Sequence, residues 1–356
     1  MNSSPHSKSD LLPEDSALQH ARAPRPLPLF LELVREVSSR DPELAAEALA
    51  GLRAYERAPR YERKPANPEF ARVRGATLRH LGGNGAPLVL IPSLINPPRI
   101  LDLDEQVSLA GSIARMGRRV LLVDWGKSGE RAELSVTGHI EALLLPLLHR
   151  MGEPAALVGY CLGGTMSIAA ANLIEVERVI TLAAPWNFSR YPERSRSALL
   201  DMWQRAKGAA ENLGALPMEV LQAAFWSLDP ERTVRKFAQF AQLDPDSAQA
   251  RRFVELEEWA NEGEPLPYPA AKELVERLFG VDLPGSGQWL VAGRLVSDRL
   301  LAPALHFTAE RDTIAPGQTV ASGEAVPISS GHVGMIVGSA RNTLCERIKA
   351  FLPPCR

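Results

Sequence analysis

The stretch Ala155-Ala-Leu-Val-Gly159-Tyr160-Cys161-Leu162-Gly163-Gly164-Thr165-Met-Ser-Ile-Ala169 decides how this chain is read. A short apolar run ends at Gly159, and a small-residue helical pattern begins at Gly163. Cys161, a reactive side chain, stands at the corner between them. This is the pattern of a nucleophile elbow, a sharp strand-to-helix turn that strains its central residue and exposes its side chain above a sheet. Gly159 and Gly163 let strand and helix approach closely. The turn would aim the Leu162 amide and the start of the helix at a developing oxyanion. The usual elbow carries Ser; this one carries Cys. A buried Cys before a Gly-rich turn would explain the five central residues. It would not explain a strand before them, a helix after them, and suitable Asp and His residues downstream.

Working outward, strand and helix patterns alternate, which predicts a mostly parallel sheet covered by helices on both faces. Upstream, Ala71–Leu78 reads as a first strand and Pro87–Pro92 as a buried one, running into the tight loop Ser93-Leu94-Ile95-Asn96-Pro97-Pro98. A helix over 105–116, a strand over Arg119–Asp124 and a helix over Val136–Met151 follow, with the elbow strand at Ala155–Tyr160 and its helix at Gly163–Leu173. Arg178–Ala183 is another strand. Beyond Pro185 strand signals become sparse, and helical spacing recurs around 198–207, 217–225 and 248–260. We read about 186–290 as a helical cap insertion. The sheet resumes at Ala302–Thr308 and Glu324–Ile328, and a helix over Gly338–Phe351 closes the chain.

The N-terminal part divides differently. Residues 1–25 are polar and read as a disordered tail. Residues 26–64 read as a helical segment and linker: a helix over Leu27–Val37, then a second that Asp41 can cap and Pro42 can start. The pair either packs on the main domain or offers an apolar surface to a partner or a hydrophobic particle. Residues 65–356 then form the catalytic domain.

Composition excludes several classes of function. The 356 residues carry 40 Lys and Arg against 42 Asp and Glu, a net charge of −2, so no basic field points to nucleic acid. There is no apolar run long enough for a membrane span and no secretory signal, so a cytoplasmic location is expected. The three cysteines, at 161, 345 and 355, give neither an even disulfide framework nor metal-ligand spacing. No metal or cofactor is implied, and a free thiol suits a reducing compartment.

The strand 302–308 ends in Ala309-Glu310-Arg311-Asp312, and the strand 324–328 in Ser329-Ser330-Gly331-His332-Val333-Gly334. A parallel sheet would gather both at the carboxyl edge beside the elbow. The order nucleophile, acid, histidine is that of the α/β-hydrolase fold. Cys161 would attack, His332 would take its proton, and Asp312 would orient the imidazole, with Glu310 the nearest rival acid. The second oxyanion donor should come from the loop after the Pro87–Pro92 strand, with the amides of Leu94 and Ile95 as candidates. Asp102 either anchors that loop or caps a helix. A thiolate attacking a thioester gives another thioester, so the acyl group stays activated for a second acceptor. This favours transfer over hydrolysis, although the same triad serves a thioesterase or a short-chain ester hydrolase.

Together, Pro92-Ser93-Leu94-Ile95-Asn96-Pro97-Pro98-Arg99-Ile100-Leu101-Asp102-Leu103, Val123-Asp124-Trp125-Gly126, Gly159-Tyr160-Cys161-Leu162-Gly163-Gly164-Thr165, Asp312 in Arg-Asp-x-x-x-Pro, and Gly331-His332-Val333-Gly334 resemble the polyhydroxyalkanoate synthase family. The likeness runs over roughly 65–350 and is closest to the short catalytic subunits. It implies an α/β-hydrolase core with a covering cap, Cys161 as acyl carrier, His332 as base, Asp312 as the acid that helps activate the substrate hydroxyl, and Asp102 as the loop aspartate. It implies joining of 3-hydroxyacyl groups from CoA thioesters into a polyester. The partners it implies are a second synthase subunit or a second copy, and a polyester granule surface. Pro97 replaces a usual basic residue, and Thr313 replaces a usual His after the acid. Arginines 190, 194, 196 and 205 either meet the phosphates of CoA or line a solvated helix face.

Overall fold

The computed structural model describes residues 23–354, so most of the tail expected over 1–25, and Cys355, lie outside the described residues. The described residues divide into two compact units, one of residues 23–61 with 230–257, the other of residues 62–229 with 258–354.

The second unit is built on an eight-stranded sheet: β1 Glu69–Val73, β2 Ala76–Gly82, β3 Pro87–Ile91, β4 Arg119–Asp124, β5 Ala156–Tyr160, β6 Arg178–Leu182, β7 Ala304–Ala309 and β8 Glu324–Ile328. Its strand order is β1-β2-β4-β3-β5-β6-β7-β8. β1 and β2 are antiparallel to each other, and β2 is antiparallel to β4; the remaining pairs are parallel. This is the order of the α/β-hydrolase fold. β3 and β5 are buried along their whole length, and the inner residues of β4 and β6 are buried too, so they read as continuous apolar runs rather than alternating ones. The chain passes from β3 to β4 on one side and returns to β5 on the other. The carboxyl ends of β3 and β5, with Ile91 opposite Gly159, therefore flank a topological switch point, where α/β sheets bind ligands.

One expectation needs correction. Ala71–Leu78 is not a single strand but the heart of a hairpin, in which Val73 pairs with Ala76 across the turn Arg74-Gly75. Arg74 adopts a positive φ of 52° there, a turn geometry that the run of apolar and polar residues around it concealed. The expected helix over 136–151 is continuous through Val136–His139, Ile140–Leu144 and Leu145–His149, with a π turn in the middle segment. Ser135 caps its start by accepting from the Gly138 amide at 3.1 Å. Between β6 and β7 lie the helices Glu193–Leu213, Met218–Ser227, Pro230–Ala241, Ala248–Asn261, Tyr268–Lys272 and its π continuation Glu273–Gly280.

In the first unit, Asp41 caps the helix Pro42–Arg57 by accepting from the Leu44 amide at 3.0 Å, and Pro42 occupies its first turn. The apolar faces of this helix and of Leu27–Ser38 meet residues 230–257. Phe30 and Tyr55 pack on Phe237, with ring centroids 4.6 and 5.9 Å apart, and Phe237 packs edge-on against Phe253 at 5.3 Å.

The elbow crossing makes a stability prediction. A Cβ at Gly163 would lie 2.1 Å from the Ile91 carbonyl oxygen, whereas one at Gly208, exposed within the helix Glu193–Leu213, meets nothing within 4 Å. In urea melts, Gly163→Ala is expected to cost roughly 1–3 kcal/mol or more, through forced backbone displacement. Gly208→Ala is expected to add about 1 kcal/mol, through helix propensity.

Candidate active site

Cys161 sits between β5 and the helix Leu162–Ala171 with φ 55° and ψ −129°, a conformation that L residues rarely adopt. Its own amide donates to the Leu182 carbonyl at 2.9 Å, which ties the turn to β6. The crossing demands small residues: a Cβ on Gly159 would come within 2.4 Å of the Gly164 Cα, and one on Gly164 within 2.3 Å of the Ala184 Cβ. Leu162 is the first helical residue, so its amide belongs to the turn whose N–H groups lack intrahelical acceptors, at the positive end of the helix dipole.

Asp312 and His332 follow β7 and β8. Asp312 is buried whereas Glu310 is exposed, so the structure separates the two candidate acids by burial. Asp312 Oδ1 accepts from the amides of Ile314 and Ala315 at 2.8 and 2.9 Å, which locks the carboxylate. His332 Nδ1 donates to Asp312 Oδ2 at 2.7 Å. Burial alone would lower the pKa of His332. The negative charges of Asp312 and Cys161, with the hydrogen bonds to both, outweigh it and raise the value to about 10. Cys161, His332 and Asp312 are thus brought together from three separate strand ends.

Two tyrosines frame this group. The Tyr160 ring lies 5.1 Å from His332, and its hydroxyl donates to the His332 carbonyl at 3.4 Å. Tyr191 donates to the Ile314 carbonyl at 2.9 Å. Burial first, then the charges of Cys161 and Asp312, push both phenols well above their ordinary pKa, so they stay neutral donors. A third residue missed in the sequence is Asp282, buried at φ 54°, which accepts from the amides of Phe188, Ser189 and Gly285 and fixes the segment after β6. Tyr160 could have been suspected from its place beside Cys161. Tyr191 and Asp282 act through contacts distant in sequence and left no local signal.

The loop after β3 is held from several sides. Trp125 donates from its indole to the Pro92 carbonyl at 3.2 Å, and Trp259 to the Pro97 carbonyl at 2.9 Å. Arg131 donates to the Leu94 carbonyl at 3.3 Å. The Ile95 amide donates to Ser93 Oγ at a long 3.4 Å. Asp102 ends the short turn Pro98–Leu101 and pairs with Lys64 at 2.9 Å; its contacts are with the loop's surroundings, not with the triad. Arg99 forks onto Glu262 with two bonds of 3.0 Å. Of the cap arginines, Arg196 is committed to the Phe279 and Gly280 carbonyls, whereas Arg190, Arg194 and Arg205 are exposed. Among the described residues, no group of three or more His, Cys, Asp and Glu could hold a metal ion.

These contacts predict the titration of one proton. Followed by NMR in imidazole-labelled protein, His332 is expected to keep its proton across neutral pH, with a midpoint near 10. The midpoint should drop in Asp312→Asn and in Cys161→Ala, since each removes a charge that raises it. A midpoint unchanged in both variants would refute this account of the site.

No family model matches the chain. A poly(3-hydroxyalkanoate) polymerase subunit PhaC from Haloferax mediterranei is 25% identical over 277 residues, 71% of this chain and 55% of that protein. The chain therefore aligns with only about half of that relative's length. Subunits of the same name from Synechocystis and Allochromatium vinosum are 25% and 23% identical, over 75% of this chain in each case and 75% and 80% of theirs. Among solved structures, epoxide hydrolases from hot-environment metagenomes superpose with a TM-score of 0.48 at 17% identity, over 83% of this chain and 99% of theirs. A non-heme bromoperoxidase BpoC from Mycobacterium tuberculosis gives 0.46 at 14%, over 80% of this chain and 98% of its own. By sequence, then, this chain resembles the poly(3-hydroxyalkanoate) polymerase subunits, and by its strand order it carries the α/β-hydrolase fold.

Proposed function

We propose that the chain is a cysteine acyltransferase of the polyhydroxyalkanoate synthase type, taking 3-hydroxyacyl groups from CoA thioesters. The observation that carries this reading is the His332–Asp312 pair, bonded at 2.7 Å, with its imidazolium stabilised by Cys161 at the elbow. The thiolate of Cys161 attacks the thioester carbonyl carbon. The bond from that carbon to the CoA sulfur breaks, and the proton lost by Cys161, carried by His332, leaves on CoA. The hydroxyl of a second acyl group then gives its proton to His332, and its oxygen displaces Cys161 to form an ester. Asp312 keeps the imidazole oriented through both steps. The amides of Leu162 and of Leu94 or Ile95 serve as the oxyanion donors, and Asp102 steadies the loop.

Transfer rather than hydrolysis requires that the acceptor hydroxyl reach the acyl-enzyme before water does. Those helical segments between β6 and β7 that belong to the second unit are the proposed cover. A second synthase subunit or a second copy, and a polyester granule surface, are the proposed partners. Among the described residues, no helix is long and apolar enough to cross a membrane.

The test is purified protein with 3-hydroxybutyryl-CoA, following CoA release and the fate of the acyl group together. CoA release with insoluble polyester is the expected result. Release of CoA with only free 3-hydroxybutyrate would make the protein a thioesterase. Cys161→Ala is expected to lose about 10⁴-fold or more of the CoA-release rate, because nucleophile and base act as a unit. Asp312→Asn is expected to lose about 10³- to 10⁴-fold through imidazole misorientation. His332→Ala should stall with a thioacyl group on Cys161, visible as a mass shift. Full turnover by Cys161→Ala would sink the reading.

A further inference from the structure

The reaction above leaves Arg131 and His139 unused, although both are buried, at 4% and 0% exposure. His139 Nδ1 donates to the Ser135 carbonyl at 2.7 Å, so Nε2 is the acceptor nitrogen and takes a hydrogen bond from Arg131 Nη1 at 3.0 Å. Arg131 Nη2 donates to the Leu94 carbonyl at 3.3 Å. Arg131 Nε is buried with no hydrogen-bond partner. Trp125, edge-on to His139 at 6.0 Å, holds the neighbouring Pro92 carbonyl. One cluster therefore grips two carbonyls of the loop after β3, those of Pro92 and Leu94 on either side of Ser93.

For stability alone this is a poor arrangement. A buried guanidinium is costly unless paired, and apolar side chains of similar volume usually serve as well or better. The hydrogen-bond acceptors of Arg131 are a neutral imidazole and a peptide carbonyl. Burial lowers the pKa of Arg131 only to about 10, against the opposing charges of Glu264 and Asp124, so the group remains a cation at neutral pH. Burial, with the charge of Arg131, holds His139 at about 4 and keeps it neutral, although its bond to Ser135 opposes this.

We propose that Arg131 is a positioning residue for the oxyanion loop, orienting and polarising the Leu94–Ile95 peptide from its carbonyl side so that the Ile95 N–H becomes the stronger donor to the acyl oxygen. In a trans peptide the C=O and the following N–H point in opposite directions, so fixing the Leu94 oxygen fixes the direction of the Ile95 hydrogen. A cation on that oxygen draws electron density from the amide nitrogen and strengthens its donation. The present partner of that N–H, Ser93 Oγ at 3.4 Å, is weak and readily exchanged for a charged oxygen. His139 sets the guanidinium in place and acts only through it. This role rests on the reading of Cys161 as the acyl acceptor.

The test compares two reactions of one thiol in the full chain. Single-turnover acylation of Cys161 by 3-hydroxybutyryl-CoA passes through an oxyanion. Alkylation by iodoacetamide forms an S–C bond and expels iodide without one. In Arg131→Met, acylation is expected to slow by about 10- to 100-fold, less than the loss of a whole donor, while alkylation stays within about twofold. Arg131→Lys, which keeps the charge, should fall between the two. Arg131→Gln, which can still donate to Leu94 but carries no charge, should behave like Arg131→Met, and it carries the test alone if the Met variant fails to fold. A merely structural Arg131 would change both reactions together or neither. Equal acylation-to-alkylation ratios in wild type and the neutral variants would overturn this role alone. A wild type alkylated at Cys161 but never acylated there would overturn the acyl-transfer reading, and this role with it.

Discussion

The structure depends on one close approach. The helix Leu162–Ala171 crosses β5 and β3 so tightly that no side chain fits at Gly159, Gly163 or Gly164. That crossing goes with a positive φ at Cys161 and sets it directly before the first turn of the helix, where N–H groups lack intrahelical acceptors. It also brings the end of β3 against the start of the helix, since the Ile91 carbonyl is the atom a Cβ at Gly163 would strike. The nucleophile and the loop offered as its second oxyanion donor are therefore placed by the same packing constraint. Backbone strain of about 1–3 kcal/mol at such a residue persists only because strands buried end to end surround it.

Two buried histidines, His332 in the loop after β8 and His139 at the end of the helix Val136–His139, stand in opposite charge states, and their environments explain the difference. His332 faces a locked carboxylate and a thiol, so negative charge overcomes burial and the ring keeps its proton. His139 faces a guanidinium, so burial and positive charge act in the same direction and the ring stays neutral. In the proposed reaction, the first carries a proton between reacting atoms. The other is fitted to accept a hydrogen bond and hold a cation still. Residue type and depth of burial are shared; the sign of the neighbouring charge decides the role.

Much of this was legible in the chain itself. The elbow could be read because its chemistry is local: the glycines, the nucleophile and the oxyanion amide lie within five residues of one another. Asp312 and His332 could be read because each follows a recognisable strand, and parallel strands deliver their ends to one edge. The hairpin at Arg74-Gly75 escaped because its turn needs only a positive φ at an arginine, which no composition rule marks. Asp282, Tyr191 and the Arg131–His139 pair escaped for a different reason. Their partners lie far away in the chain or on backbone carbonyls, and hydrogen bonds to backbone leave no trace in side-chain pattern.

By itself the sequence determined the order of the strands from β3 onward, the reactive thiol, and the set of residues able to serve it, because periodicity and short-range sterics act between near neighbours. Tertiary structure alone decided which acid meets the histidine, since Asp312 is buried against His332 while Glu310 meets solvent. It also decided which loop carbonyls are gripped, and it assigned Phe30 and Tyr55 to Phe237 rather than to a surface. Those outcomes depend on dielectric, distance and packing between segments remote in the chain. No local pattern encodes these quantities, because they exist only once the sheet has closed and excluded water.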